Sequence, residues 1–321
     1  MRLLVTGGAG FIGSHFVKRQ VPREKWESVT VLDSLTYAGN KANLTEVEGN
    51  TKYSFVHGDI CDPVIVDELI RDSDVVVNFA AESHVDRSLL HGDKFVMTNV
   101  VGTTNLLKNS LAHNVKIFHQ VSTDEVYGSI HEGSWDENFP LAPNSPYSAS
   151  KAAADLIALS YFKSYGMDVR ISRCSNNYGP NQYPEKLIPL AITNLMQGKK
   201  IPVYGDGQNR RDWLHVEDHC LAIEKILDFG RAGEVYNVGG GDELTNIEVV
   251  NILLKELGKD KSCIEFVSDR KGHDFRYSVN WQKLSRETGF LPQNSFSDGL
   301  SGTVAWYTQN SNWWLPLLTN H

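Results

Sequence analysis

Tyr147 and Lys151 stand four residues apart in the run Pro146-Tyr147-Ser148-Ala149-Ser150-Lys151. On a helix that spacing brings both side chains to one face. A phenol titrates at about 10 in water and is a poor base at neutral pH. A neighbouring ammonium favours the phenolate and lowers that value. Such a tyrosine can take a proton from a hydroxyl while hydride leaves the same carbon. A second group is Ser122-Thr123-Asp124-Glu125, at the end of an apolar run. Two adjacent carboxyls beside a hydroxyl divide acid and base roles when their surroundings push their pKa values apart. Both groups have plainer readings. Tyr and Lys at this spacing also make surface pairs. On residue types alone, Asp124 and Glu125 read better as a polar strand-to-loop turn with solvated acids.

What must position these groups begins at the first residues. Arg2–Val5 reads as a strand opening onto Thr6-Gly7-Gly8-Ala9-Gly10-Phe11-Ile12-Gly13, and glycines 7, 10 and 13 satisfy GxxGxxG while 8, 10 and 13 satisfy GxGxxG. Glycine lets the backbone turn tightly and approach a pyrophosphate, whose charge sits on a helix N-terminus. A helical pattern follows, and a second strand ends in Asp33, twenty positions beyond Gly13. That context makes the motif a dinucleotide site. Asp33 then accepts hydrogen bonds from the adenosine ribose; its carboxylate repels a 2′-phosphate, and neither Ser34 nor Leu35 supplies a cation, which favours NAD over NADP. The alternative for Asp33 is a helix cap. Behind such a fingerprint the catalytic reading of Tyr147 and Lys151 outweighs the surface pair.

Around these motifs the first half alternates short β-branched runs with amphipathic ones. Leu3–Thr6, Val29–Leu32, Tyr53–Val56, Val75–Phe79 and Ile117–Val121 read as buried parallel strands; Phe11–Arg19, Pro63–Ile70 and Thr98–Ala112 read as helices. The alternation predicts an α/β fold with a doubly wound Rossmann-type parallel sheet. Val169–Arg173 and Val235–Val238 are further strands, Asn176–Pro189 a long polar loop, and Asn246–Leu257 and Ser297–Thr308 helices. We therefore expect a cofactor domain over residues 1–175, plus roughly 213–240, and a smaller mixed α/β substrate domain over roughly 176–212 and 241–321.

The formal net charge of −8 argues against non-specific nucleic-acid binding. No apolar run approaches the roughly 20 residues that span a bilayer. The opening residues hold a glycine turn rather than a secretory apolar region. Cys61, Cys174, Cys220 and Cys263 are scattered without a CxxC pair, so no metal site or disulfide framework is expected, and the reading is of a cytoplasmic protein with free thiols.

The glycine fingerprint, Tyr147 with Lys151, and Val121-Ser122-Thr123-Asp124-Glu125-Val126-Tyr127-Gly128 resemble the extended short-chain dehydrogenase/reductases. Within them the chain is similar to the dTDP-glucose 4,6-dehydratases. Asp33–Asn40, Phe79–Ser88, Cys174–Pro180, Pro184–Pro189, Arg211-Asp212-Trp213 and Asp269–Asp274 extend the likeness over nearly the whole chain. It reverses the plain reading of the acids: related epimerases carry small or hydroxyl residues there, and related decarboxylases and GDP-mannose dehydratases have serine at the position of Asp124. The resemblance implies that Tyr147 removes the 4-hydroxyl proton of the sugar, with Thr123 hydrogen-bonded nearby, as hydride passes from carbon 4 to NAD. Glu125 then takes the carbon 5 proton, protonated Asp124 gives its proton to the departing 6-hydroxyl, and the same hydride returns to carbon 6.

The resemblance further implies NAD contacts from Gly7, Gly10, Phe11, Ile12, Gly13, Asp33, Ser34, Leu35, Thr36, Asp59, Ile60, Phe79, Ala80, Ala81, Ser83, Thr98, Tyr147, Lys151 and Asn177. Nucleotide-sugar contacts are implied for Ser83, Thr123, Asn176, Lys186, Leu187, Pro202, Tyr204, Arg211, Asn246, Arg270 and His273. Arg211 has independent sense, because a guanidinium fork suits a diphosphate; Asn246 also reads as a helix cap and Tyr204 as a core aromatic. Asn181 and Arg210 depart from the family pattern near the expected substrate entrance. The family's helices equivalent to Thr98–Ala112 and Tyr147–Tyr165 pair across a two-fold axis as a four-helix bundle, so a homodimer is expected. The competing readings are a sister epimerase or decarboxylase on another nucleotide sugar, against which Asp124 and Glu125 speak, and an NAD-binding sensor without catalysis.

Overall fold

The computed structural model describes residues 1–269 and 272–318. Strands β1 (Arg2–Thr6), β2 (Ser28–Asp33), β3 (Tyr53–His57), β4 (Val75–Asn78), β5 (Ile117–Thr123) and β6 (Val169–Cys174) share one sheet with β10 (Val235–Val238), in the order β10-β6-β5-β4-β1-β2-β3. Every pairing in it is parallel. Strand order reverses between β1 and β4, and a doubly wound sheet opens its ligand crevice at such a reversal, beyond the carboxyl ends of the strands. The central strands are apolar on both faces because helices cover both. On one face α1 (Phe11–Gln20) packs with a later helix, α8; on the other lie α2 (Pro63–Arg71), α5 (Thr103–Ala112) and α6 (Pro146–Tyr165). The short turns α3 (Val85–Leu90) and α4 (Gly92–Phe95) lead into α5.

A second core lies outside this sheet. Helices α7 (Leu187–Met196), α9 (Asn246–Glu256) and α11 (Phe296–Gln309) bury Ile188, Ile192, Val249, Leu253, Leu300 and Tyr307 against β8 (Ile201–Tyr204). β8 pairs with β12 (Ile264–Val267), and β9 (Arg210–His215) is flanked by β7 (Asn176–Tyr178) and β11 (Asp242–Thr245). α8 (Val216–Phe229) and α10 (Gln282–Thr288) run back onto the large sheet, where they cover β10.

Two sequence expectations change. Asn176–Pro189 is not all loop: its first residues pair with Trp213–His215 as β7, and α7 begins at Leu187. Two adjacent asparagines and three prolines hid a strand that needs only one neighbour. Thr98–Ala112 is not a regular α-helix: Val96–Gly102 is wound as a π-helix before α5 begins. The wider winding lets the buried Asn99 side chain bond Glu82 N and O, at 2.9 and 3.0 Å, and Ser150 Oγ at 2.8 Å, so it ties the loop after β4 to α6. π-Turns inside helices commonly mark such specialised positions.

Two histidines are fully buried in the fold. His119 on β5 pairs through Nε2 with Ser172 Oγ at 3.0 Å, and His219 on α8 donates through Nδ1 to Asn177 Oδ1 at 3.0 Å. Burial holds both imidazoles down to about 3.

α6 is fixed to β6 by a buried ion pair. Arg173 Nε lies 2.9 Å from Asp155 Oδ2, and Arg173 Nη1 donates to Tyr127 Oη at 2.8 Å. Removing one partner leaves an uncompensated buried charge. Asp155→Ala is expected to lower unfolding free energy by about 3–5 kcal/mol in chemical denaturation; a loss below 1 kcal/mol would show that the pair does not hold the helix.

Candidate active site

The glycine turn sits at the β1–β4 reversal because nothing larger than glycine fits there. Gly7 has φ +68°, and a Cβ on it would lie 2.5 Å from the Ala80 nitrogen; a Cβ on Gly13 would lie 2.3 Å from the Gly7 carbonyl oxygen. The first contact brings β1 and β4 loops together, and the second lets α1 start directly above the turn, with Gly10 as its N-cap. Backbone N–H groups at that terminus face the crevice, where a pyrophosphate is favoured. Asp33 closes the other side. Its Oδ2 accepts from Ala9 N at 2.9 Å and its Oδ1 from Leu35 N at 2.8 Å. Burial raises the Asp33 carboxyl, against those two N–H bonds.

Tyr147 and Lys151 are placed by the start of α6. Ser145 caps the helix in a reciprocal bond with Ser148, and Pro146 takes the first helical position, where its missing N–H costs nothing. Tyr147 is therefore the second residue of the helix, at its positive end, and Lys151 stands one turn on. The ammonium, fully out of water, donates to the Val121 carbonyl at 2.6 Å, and burial lowers its value. In the protein alone, burial and then the Glu125 charge push the phenol well above its ordinary value, and the Thr123 hydroxyl is the group that favours ionisation.

β5 runs two residues further than its apolar pattern, to Thr123, and Asp124–Tyr127 turn at once into a 3-10 helix. Thr123 Oγ1 accepts from Glu125 N at 3.3 Å and lies 3.4 Å from Asp124 Oδ1. Asp124 is 1 % exposed, and its Oδ2 has no hydrogen-bond partner among the described residues. It is not a solvated acid. Burial, then the charges of Glu125 and Asp212, raise it well above the usual carboxylate range.

The groups meet in one cavity of ≈ 1040 Å³. Gly7, Gly10, Phe11, Ile12, Gly13, Asp33, Ser34, Thr36, Asp59, Ile60, Phe79, Ala80, Ala81, Thr98 and Asn177 line one arm, and Thr123, Asp124, Glu125, Tyr147 and Lys151 its middle. Ser83, Asn176, Lys186, Leu187, Pro202, Tyr204, Arg211, Asn246 and His273 line the other arm. Arg270 lies outside the described residues. Leu35 is not among the lining residues; its backbone is left-handed, φ +50°, and it gives its N–H to Asp33. Asn181 and Arg210 also stay out of the lining. Asn181 adopts a left-handed backbone, φ +63°, which asparagine tolerates better than a bulky aromatic, and Arg210 pairs with Glu243 at 3.3 Å.

Sequence reasoning passed over several lining residues. Tyr277 donates to Asp274 Oδ2 at 2.6 Å, and the Arg211 guanidinium stacks 4.4 Å from its ring centre. Arg211 also donates to the carbonyls of Arg210 and Asp274, at 2.7 and 2.9 Å, so its fork is held at a fixed angle. Asp212 accepts from Gly240 N and Gly241 N, at 3.2 and 2.8 Å, and burial brings it up to about 6. Ser122, Cys174, Trp213, Tyr183 and Glu185 line the cavity too. Ser122, Cys174, Glu185, Asp212 and Trp213 stand inside the stretches that carry the family likeness; Tyr183 and Tyr277 carried no signal.

A hydride-transfer fingerprint and a buried acid beside a second acid in one cavity are matched elsewhere. The family model described as GDP-mannose 4,6 dehydratase matches residues 4–303. A dTDP-glucose 4,6-dehydratase of Streptomyces niveus is 54% identical over 321 residues, which cover 99% of this chain and 96% of that one. The chain belongs to the dTDP-glucose 4,6-dehydratase family. A crystal structure of a double mutant of such an enzyme from Streptomyces venezuelae, with NAD bound, superposes with a TM-score of 0.96 at 55% identity, covering 99% of this chain and 100% of that chain. The enzyme of Bacillus anthracis strain Ames, in complex with NAD, gives a TM-score of 0.92 at 50% identity, with 99% of each chain covered.

For a family member, the buried acid sets a pH limit. Asp124 is protonated below its raised value and loses that proton as pH rises through it, so turnover should fall on the alkaline side. Asp212→Asn removes one of the charges that raise Asp124. The alkaline limb of the single-turnover rate profile should then move to lower pH; an unmoved or upward-moving limb would exclude Asp124 as its source.

Proposed function

We propose that this chain removes water from dTDP-glucose to give dTDP-4-keto-6-deoxyglucose, with NAD retained through each turnover. The observation that carries the reading is Asp124, a buried carboxyl raised well above the usual carboxylate range by burial and the Glu125 charge, in the cavity that also contains Tyr147 and the glycine turn. The lining fits NAD: glycine backbone for the pyrophosphate, the Asp33 carboxylate for the ribose, and no lysine or arginine of the Asp33–Gly39 loop among the described lining residues. The chemistry NAD supplies when bound is hydride removal from carbon 4 and its return at carbon 6.

The protein's own groups do the rest. Tyr147 takes the proton of the 4-hydroxyl, helped by Thr123 and by the positive end of α6. The ketone formed at carbon 4 acidifies carbon 5, and Glu125 takes that proton. Asp124, whose proton burial makes harder to lose, gives it to the leaving 6-hydroxyl, which departs as water, and a proton returns to carbon 5 as hydride adds at carbon 6. Arg211, already oriented by three backbone carbonyls and Tyr277, takes the diphosphate with Lys186 and Asn176. Tyr204 and His273, with rings 6.2 Å apart at 79°, take the thymine. In this reading residues 1–175, with about 213–240, hold the cofactor, and 176–212 with 241–321 hold the nucleotide sugar; β9 crosses that boundary and carries Arg211 to it.

Two further elements belong to the proposal. The protein works in the cytoplasm; its four cysteines are free, and no helix among the described residues is long and apolar enough to cross a membrane. It assembles as a homodimer through α5, α6 and their π-helical lead. Val96, Met97, Val101, Leu156 and Tyr165 are all exposed there, and an apolar face of this kind is best covered by a copy of itself. Sedimentation at micromolar protein should give a dimer, and Leu156→Glu should give monomer; a wild-type monomer contradicts the assembly.

The chemistry is tested by incubation with dTDP-glucose and mass spectrometry, where the product is lighter by one water. Glu125→Gln should keep the first oxidation and lose the carbon 5 base, so that reduced cofactor accumulates in a single turnover and dehydration falls about 10²–10⁴-fold. Wild-type dehydration by that variant would refute the role given to Glu125.

A further inference from the structure

Three segments that are distant in sequence converge on one carboxylate at the edge of the cavity. Tyr37, on the loop after β2, donates to Glu185 Oε1 at 3.0 Å. Arg87 Nε, on α3, lies 3.6 Å from Glu185 Oε2, and His84 Nε2, capping α3, lies 3.8 Å from the same oxygen. The Arg87 guanidinium stacks 3.7 Å from the Tyr37 ring centre, and Tyr183 meets that ring edge-on at 5.4 Å. Glu185 is 13% exposed at its side chain, so these contacts are made largely out of water.

Each end of the cluster is stiff and leads to a different ligand. The Tyr37 loop is one unit with Asp33: Leu35 N donates to Asp33 Oδ1, Gly39 N to the Thr36 carbonyl at 3.0 Å, and Asn40 N to the Ala9 carbonyl in the glycine turn at 3.0 Å. Glu185 immediately precedes Lys186 and Leu187. Lys186 Nζ donates to the Ser83 carbonyl at 3.1 Å, just before His84. A shift of the Glu185 segment therefore acts on both the lysine assigned to the sugar nucleotide and the loop that carries Asp33.

We propose that Tyr37 and Glu185 are positioning residues whose bond couples the two arms of the cavity, so that a nucleoside diphosphate on the Lys186 side tightens retention of the dinucleotide on the Asp33 side. The proposal rests on the assignment of those arms to NAD and to a dTDP-sugar. Neither residue is a catalytic group; each acts through the segment it holds. Coupling of this kind is reciprocal between the two ligands.

The test uses holoenzyme with its NAD, dTDP as the probe, and the variants Tyr37→Phe and Glu185→Met. Each variant removes one polar partner and keeps the side chain's bulk. The rate of NAD loss is followed by trapping the released cofactor, without dTDP and with dTDP at a concentration that calorimetry shows to be saturating for that variant. In the wild type, dTDP should slow NAD loss on the order of tenfold, within the usual range of coupling between sites. In each variant the slowing should shrink below about twofold, and the double variant should lose no more than either single one, because both remove the same bond. A merely structural role would speed NAD loss equally with and without dTDP, leaving the ratio intact, and that result overturns the coupling. Wild-type holoenzyme that binds dTDP without any change in NAD loss overturns it as well. Wild-type holoenzyme that binds no dTDP at all overturns the functional assignment of the sugar arm, and the coupling with it.

Discussion

Ionisable groups kept out of water at the carboxyl end of β5 govern the rest of this structure. A carboxylate moved into a dry site is disfavoured unless it is paired, and where no partner is supplied it takes up a proton instead. Asp124 has no hydrogen-bond partner at Oδ2 among the described residues, Glu125 stands next to it, and Asp212 adds a further negative charge. Tyr147 feels the same field and is raised by it. Lys151 donates to the Val121 carbonyl, and the cation whose charge opposes the rise at Asp124 is Arg211. Burial and the two neighbouring acids outweigh that cation, so the carboxyl is raised.

Both hydrophobic cores are needed to keep that place dry. The parallel sheet brings the strand ends together, with the backbone contact between Gly7 and Ala80 setting how closely the β1 and β4 loops approach. The second core, around α7, α9 and α11, closes the opposite wall. β9 spans the gap: Arg211 and Trp213 reach the cavity, while Leu214 packs under α8. Arg211 is oriented by backbone carbonyls of the segment that also supplies Tyr277. The guanidinium thus arrives at the site already immobilised, and little side-chain freedom remains to be lost when an anion binds.

The parallel strands, the glycine turn, Asp33 and the Tyr147–Lys151 helix were legible because each depends on neighbours within a few residues: periodicity, capping and spacing. The acids were legible only through family likeness. Read by type, Asp124 and Glu125 are turn residues, since their burial is decided by Arg211, Asp212 and Tyr277, far along the chain. The strand β7 and the π-helical turn were missed for the same reason. Asn176–Tyr178 becomes a strand only against β9, and Val96–Gly102 widens around contacts that Asn99 makes with Glu82 and Ser150.

The two buried imidazoles give the fold a chemical boundary of its own. His119 and His219 bind a proton with ordinary affinity, at 6.5, once the chain is unfolded, but only at about 3 while it is folded. Between those values the unfolded chain holds more protons than the native one, so native stability is complete above the upper value and drains away as pH falls toward the lower. Glu217, brought down to about 2 by His15 and Arg19 against the effect of burial, pulls in the same direction at still lower pH. Asp124 and Asp212, whose raised values make the folded state the better proton acceptor, work the other way. Mild acid is therefore resisted by the buried Asp124 and Asp212 and exploited by two buried histidines, and His219 hangs directly on Asn177 in the cavity wall.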